Sequence, residues 1–542
     1  MTAVAADAEI RFTPWQALGA QVGAEIKNRA RSTGSLVALF VILIGSYWAI
    51  PPADGKAVSV SWTLPDGRLQ APLYTAGYLG IAMSVLGVMF FALAAFYLVA
   101  GAVRQDRERG IGLILAATPI SKSAYLGAKW LANTVYLVLL SLLCLPVGVF
   151  HFMRSGVGAF DAVQFLAPLL LMTLPAAAFV AAGALLFDVT PVLRSKGGLV
   201  IWFFFGAMPM MVIPMQLGRA SGAESRLDHV PAFDPLGMAM HESLVQASLP
   251  PGSHGISSGY VIHDEPIERA AWAGLSFPPG LVTQRLLNMV WVLLPFLGAV
   301  LLFDRFDPSR YLRVARASAG GGAAGVVGPA APMRTLASLG AVEARPSALG
   351  AVLAETRLLW ETGGKAKWLV VPAALVAALL PAEPSRLAAG AFVLLVIPLV
   401  SEVGCREDLA GARPLVLSQP GVPSSAVLWK FAAVALFLLA VSLPITLRGL
   451  VSMDARAYAV PLGMLFVAAF AVGSASLSRG GKLFSGVLLL LWYLALNGLG
   501  AVDFSGALAR GSGWETRLSF LAIGAAFIAS AMLWEKRRLR GV

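Results

Sequence analysis

Residues 165–187 read FLAPLLLMTLPAAAFVAAGALLF, twenty-three positions without a charged side chain. A run of this length is a bilayer-crossing helix, because about 20 apolar residues cover the hydrocarbon core. Working outward, five further apolar spans fall near Ser35–Ile50, Tyr78–Val103, Trp130–Phe150, Gly197–Met215 and Leu286–Phe303. A second set of six lies near Trp368–Leu380, Leu387–Val403, Phe431–Leu447, Tyr458–Leu477, Phe484–Val502 and Leu518–Trp534. The reading is an all-α polytopic membrane protein with about twelve transmembrane helices in two parallel six-helix repeats. Helices are the default because a lipid-exposed backbone must satisfy its own hydrogen bonds, and no barrel-like alternation competes.

Composition agrees. Only 13% of the 542 residues are charged and mean hydropathy is +0.76, too few charges for the exterior of a soluble domain this long. The net charge of +12 does not indicate nucleic acid, because the basic residues sit in short segments between apolar runs. With the N-terminus inside, 29 of 41 Lys and Arg and 15 of 29 acids fall in cytoplasmic segments, giving +14 inside and −2 outside. That bias follows the positive-inside rule and places both termini in the cytoplasm; Lys536, Arg537, Arg538 and Arg540 after the last span agree. Residues 1–31 hold no apolar stretch with a cleavage site, so the first span is expected to act as the membrane signal. Cys144 lies in an apolar run and Cys405 in a polar loop, which argues against a disulfide framework or cysteine metal site.

Two stretches carry the duplication. Ala24-Glu25-Ile26-Lys27-Asn28-Arg29 precedes the first span and Ala354-Glu355-Thr356-Arg357-Leu358-Leu359 the seventh, an offset of 330. Asp106 through Pro119 to Lys129-Trp130 matches Glu407 through Pro420 to Lys430-Phe431, an offset of 301. The difference falls in a long external segment, Pro51 to Gly77, that shrinks to Pro381–Arg386 in the second half. Six spans per half give both halves one orientation, related by a pseudo-two-fold along the membrane normal, with the pathway where they meet. The expected organisation is a first repeat over residues 1–303, a flexible Gly/Ala-rich cytoplasmic linker over 304–345, and a second repeat over 346–542. A large external loop at 216–284 holds four of the five histidines, His229, His241, His254 and His263. No His-x-x-x-His spacing occurs there, so a polar lid is the simpler reading than a metal site.

After the second span, Arg104-Gln105-Asp106-Arg107-Glu108-Arg109-Gly110 leads into Ile111-Gly112-Leu113-Ile114-Leu115-Ala116-Ala117-Thr118-Pro119. A charged start, an apolar stretch and a proline stop predict a short amphipathic helix parallel to the membrane, able to offer an apolar ridge to a cytoplasmic partner. Here the chain resembles the type-2 family of ABC transporter permeases. The pattern is Glu108, Leu115-Ala116-Ala117-Thr118-Pro119-Ile120-Ser121, Tyr125 and Gly127-Ala128-Lys129. The second half keeps it loosely as Arg406-Glu407-Asp408, Leu415-Val416-Leu417-Ser418-Gln419-Pro420 and Lys430, with Gln419 for Thr118 and Ala426 for Tyr125.

The resemblance implies ATPase-coupling helices at Asp106, Glu108, Arg109, Leu115, Thr118 and Pro119, and at Glu407, Asp408 and Pro420. It implies amphipathic elbow helices at Glu25 and Arg29 and at Glu355 and Arg357. It further implies two cytoplasmic ABC ATPase subunits as partners, ATP and Mg bound by those subunits, an unknown transported substrate, export as the direction, and a bacterial inner membrane. The double length implies that one chain supplies the whole transmembrane unit. No cofactor is expected in this chain: Gly364-Lys365 and Gly481-Lys482 lack the rest of a P-loop. Two other classes remain open. A major-facilitator secondary transporter also has twelve spans, and Gly101 with Asp106-Arg107 resembles its loop between spans two and three, although the spacing differs and mid-membrane ionisable groups are few. An intramembrane enzyme would need site chemistry, yet His241-Glu242 has no second histidine at ligand spacing.

Overall fold

The computed structural model describes all residues except 1–13, thirteen scattered positions between 33 and 55, 109, 195, 221–232, 250–252, 264, 273, 308–346, 364–365, 414–421, 497–499, 507, 509–512 and 541–542. The chain divides into two compact units, Met1–Arg305 and Phe306–Val542. Among the described residues, eight helices are long and apolar enough to cross a membrane: Ala76–Arg107, Lys122–Ser155, Ala162–Val189, Pro279–Leu302, Ala388–Leu409, Ala426–Val451, Arg456–Ser478 and Trp514–Arg538. Each overlaps one of the expected spans. Three other expected spans coincide with shorter apolar helices, Trp202–Leu217, Lys367–Leu379 and Lys482–Ala495. The remaining one, Ser35–Ile50, lies partly outside the described residues, as does the expected linker from residue 308 onward. The helices leave large apolar side chains uncovered in rows; Leu293, Leu297 and Leu301 are 50%, 52% and 80% exposed at helical spacing. In water such a stripe would be costly, and against lipid it is not.

In the first unit, α1 (Pro14–Ala30) precedes α2 (Ala76–Phe90), which continues through a π-helical turn, Phe91–Ala95, and a short helix, Phe96–Val99. Then come α3 (Ala102–Glu108), α4 (Ile111–Ala117), α5 (Lys122–Leu142) and α6 (Ala162–Val189). A second π-helical turn, Trp202–Ala207, leads into α7 (Met208–Ala220), followed by α8 (Met238–Ala247), α9 (Pro279–Leu287) and α10 (Val290–Leu302). The second unit holds α11 (Ala348–Thr362), α12 (Ala366–Leu379), α13 (Ala382–Val400), α14 (Val422–Val451), α15 (Arg456–Ser478), α16 (Lys482–Leu496) and α17 (Trp514–Arg540).

The chain is all-α, as expected, and carries one small sheet besides. The two segments read as external loops of the first half form a four-stranded sheet, from β1 (Ala57–Thr63), β2 (Leu69–Pro72), β3 (His254–Ile262) and β4 (Glu268–Ala270), in the order β3-β1-β2-β4. β1 pairs antiparallel with β2 (Trp62 opposite Gln70) and with β3 (Val60 opposite Ser258), while β2 and β4 are parallel (Gln70 opposite Glu268). The alternation of β1 buries Val58, Val60 and Trp62. Val60 joins Tyr74, Tyr78, Phe165, Leu244, Trp272 and Leu281 in a core that seats this part on the ends of α2 and α6. So the expected polar lid at 216–284 is instead partly a packed α/β extension.

His241, on α8, is fully buried in that extension, and neither ring nitrogen has a hydrogen-bond partner among the described residues. Burial pushes its pKa from the ordinary 6.5 down to about 4. Between those values the unfolded chain binds a proton that the folded one refuses, so stability is full above pH 6.5 and falls as the pH drops toward 4. The loss over that window is on the order of 3 kcal/mol. Amide exchange of residues 238–247 is expected to accelerate between pH 7 and pH 4.5 in the native chain and to stay flat in His241→Leu. Equal acceleration in both would remove His241 as the cause.

Two buried arginines fix the turns that precede the last span of each unit. In the first, Asp234 accepts the N–H groups of Gly237, Met238 and Met240, each at 2.9 Å. Beneath that turn Arg285 donates to the carbonyls of Asp234, Pro235 (3.4 Å), Met172 (3.2 Å) and Leu171 (2.9 Å). The Leu171 carbonyl is orphaned because Pro175, four residues on in α6, has no N–H to give it. Gly237 is required: its φ is +83° and a Cβ would lie 2.9 Å from Nη2 of Arg285. In the second unit, Asp503 accepts from Ser505 and Gly506, Arg517 donates to the Asp503 carbonyl, and Gly506 (φ +68°) has no room for a Cβ 2.8 Å from Arg517.

Candidate functional site

The residues singled out from sequence gather at one end of each unit. α4 forms where the sequence places it. Gly110, with φ +74°, turns the chain out of α3, and Thr118 ends the new helix in extended conformation, its hydroxyl donating to the Leu115 carbonyl at 2.8 Å. Pro119 follows, exposed, and stops the helix. Leu113 and Ile114 are 62% and 68% exposed on α4, and Leu115 is half-buried. The loop is tied to the end of the unit: Arg107 pairs with Asp304 at 2.9 Å, and Arg305 donates to the Thr118 carbonyl at 2.5 Å.

Behind α4 lies an ion cluster. Lys129 of α5, 2% exposed, pairs with Asp106 at 2.8 Å and with Glu25 of α1. The Tyr125 hydroxyl donates to Asp106 at 2.6 Å, and its ring stacks on Phe303 with centroids 5.4 Å apart. One buried ammonium thus holds two carboxylates from two helices, fixing α1 and α3 to a third helix, α5. Arg29, the other elbow residue, donates at 3.1 Å to the Leu98 carbonyl, next to the helix break at Ala100. Glu108 ends α3, and Arg109 lies outside the described residues.

The second unit repeats the plan with different partners. Lys430 of α14 pairs with Glu407, as Lys129 does with Asp106. Glu355 on α11 is held by Arg406 at 3.5 Å rather than by the lysine. Asp408 pairs with Arg413 at 2.9 Å, and Arg413 reaches Glu535 at 2.5 Å. These groups border a cleft of about 310 Å³ whose walls include Ala354, Leu358, Gly404 and Trp429. Arg357 is not part of it; it is exposed and pairs with Glu361 at 2.8 Å. Pro420, with Leu415 to Gln419, lies outside the described residues.

Several residues that shape these sites were missed in the sequence. Asp188 accepts the N–H groups of Gly101 and Val103 at 2.5 and 3.2 Å and so caps α3. Trp202 and Trp492 each donate to a helix carbonyl, Ala92 at 3.1 Å and Gly390 at 3.0 Å. Asn133 is fully buried on α5 with neither amide atom hydrogen-bonded among the described residues. Among those residues no group of three or more His, Cys, Asp and Glu is placed to hold a metal ion. No family model, curated protein or solved structure matches the chain.

Proposed function

We propose that the chain is the permease of an ATP-driven transporter of the ABC type-2 kind, acting as an exporter in a bacterial inner membrane and moved by two separate cytoplasmic ATPase subunits. The observation that carries the reading is α4: a seven-residue helix with Leu113 and Ile114 exposed, backed by the buried Glu25–Lys129–Asp106 cluster. An apolar ridge on a rigid base is a surface for a partner, and its fixed base passes force into α1, α3 and α5. The finer architecture is twelve spans in two repeats with both termini cytoplasmic. Three contacts recurring in matched order support the repeats: Lys129–Asp106 and Lys430–Glu407, Trp202–Ala92 and Trp492–Gly390, Arg285–Asp234 and Arg517–Asp503. ATP binding would bias two arrangements of the permease through contacts that differ between them.

The test is to purify the tagged full chain in mild detergent and assay ATP hydrolysis in what accompanies it. A P-loop ATPase at two copies per chain is expected, and Leu113→Asp with Ile114→Asp should lower its recovery about tenfold or more by burying charge in the ridge. A chain recovered without ATPase, transporting on a proton or sodium gradient, would transfer the assignment to the secondary-transporter class.

A further inference from the structure

The segment from Phe91 to Glu108 is interrupted twice. Phe91–Ala95 forms a π-helical turn, and Ala100 leaves the helix in extended conformation before Gly101 turns with φ +88°. Each interruption strands backbone groups that a continuous α-helix would pair internally. One polar side chain from another helix meets each. Trp202 donates to the Ala92 carbonyl in the upper break, and Asp188 accepts Gly101 and Val103 N–H in the lower one.

The upper pin is itself held. The Trp202 ring stacks on Phe96 at 4.2 Å and 5°, stands edge-on to Phe187 at 5.6 Å, and fits only because Gly183 and Gly206 lack a Cβ, which would sit 2.6 and 2.5 Å from it. Trp202 also opens the second π-helical turn, so two wide turns face each other across one indole. Packing alone does not demand this. In the second unit the same tryptophan–carbonyl bond, Trp492 to Gly390, joins α13 and α16, both α-helical at those residues.

We infer that this stretch is a two-jointed arm, with its upper joint at Phe91–Ala95 pinned by Trp202, its lower joint at Ala100–Gly101 pinned by Asp188, and α4 carried at its end. A π turn stands one residue out of α register. Passing into register slides the helix by about 1.5 Å and turns it by about 100°, which breaks the Trp202 bond and moves α3 together with the Lys129, Tyr125 and Asp304 contacts that hold it. The arm follows from the first unit's geometry alone, and its test needs no ATPase.

The experiment uses the full chain in nanodiscs of phosphatidylethanolamine and phosphatidylglycerol. Trp202→Phe keeps a ring but removes the donor; Asp188→Asn keeps the shape but loses the charge and one acceptor. Trp202→Phe is expected to speed amide exchange over residues 91–96 about tenfold while 102–108 stay within about twofold, and Asp188→Asn to give the converse. Spin labels in Leu113→Cys and Leu139→Cys, with Cys144→Ser and Cys405→Ser, report the arm's end. Their distance distribution should widen by about 1.5 Å or more in each variant. Unchanged exchange, exchange raised evenly across the first unit, or an unmoved label distance would each overturn the arm.

Discussion

Arg285→Ala is expected to cost the first unit about 3–5 kcal/mol, comparable to the whole stability of many domains. The guanidinium is 1% exposed and donates to four carbonyls, one of them orphaned by Pro175. Its removal strands those carbonyls and leaves the buried Asp234 carboxylate without a compensating charge, although that carboxylate keeps its three backbone N–H donors. Arg285→Lys retains the charge but not the planar fork that reaches two elements at once, so it should recover no more than about half of the loss. The measurement is the unfolding midpoint of the purified full chain in micelles. If Arg517→Ala falls by a similar amount, the two knots are equivalent parts. An Arg285→Ala chain within about 0.5 kcal/mol of native would show that water replaces the guanidinium and that the knot is dispensable.

That knot also shows where the sequence was readable and where it was not. The long spans were legible because apolar runs of fixed length have one solution in lipid. α4 was legible because Gly110 and Pro119 bracket an apolar heptapeptide. The strand Ala57–Thr63 carried a signal too, since Val58, Val60 and Trp62 alternate with Ser59 and Ser61, but a short alternation between spans was passed over as loop. Its partner β3 lies about 190 residues later, and no local pattern announces that pairing. The Asp-x-x-Gly turns at Asp234–Gly237 and Asp503–Gly506 match with an offset of 269, whereas the segments around Asp106 and Glu25 match theirs at 301 and 330. Unequal loops hid them from an alignment anchored elsewhere. Around α4, Asp106 and Glu407 stand out in the sequence as charges, whereas their lysine partners appear there only as motif ends. Which of two carboxylates a buried ammonium selects depends on three-dimensional reach, and spacing does not encode it.

Lys129→Met is expected to destabilise the first unit by about 3–5 kcal/mol and to free α1 from the segment α3–α4. Methionine nearly fills the lysine's volume, so the loss is electrostatic: Glu25 and Asp106, brought together by one ammonium, lose their direct ion-pair partner and keep only the charge of Arg29 acting on both. The Tyr125 hydroxyl still donates to Asp106 at 2.6 Å, which relieves one carboxylate and not the other. Neutralising the acids separates the two contributions. A Lys129→Met, Asp106→Asn, Glu25→Gln chain should recover most of the stability, because a buried cluster replaced by neutral groups of like shape is often near neutral overall. It should not recover the rigid link, so amide exchange in 14–30 and 111–117 is expected to stay elevated while the unfolding midpoint returns. Lys430→Met offers the control within the same chain. There only Glu407 loses its partner, since Glu355 is held by Arg406 at 3.5 Å, and the cost should be about half. Equal losses at the two lysines would mean that pairing to the elbow contributes nothing at Lys129. The base of α4 would then be α3 and α5 alone, with α1 contributing nothing to it.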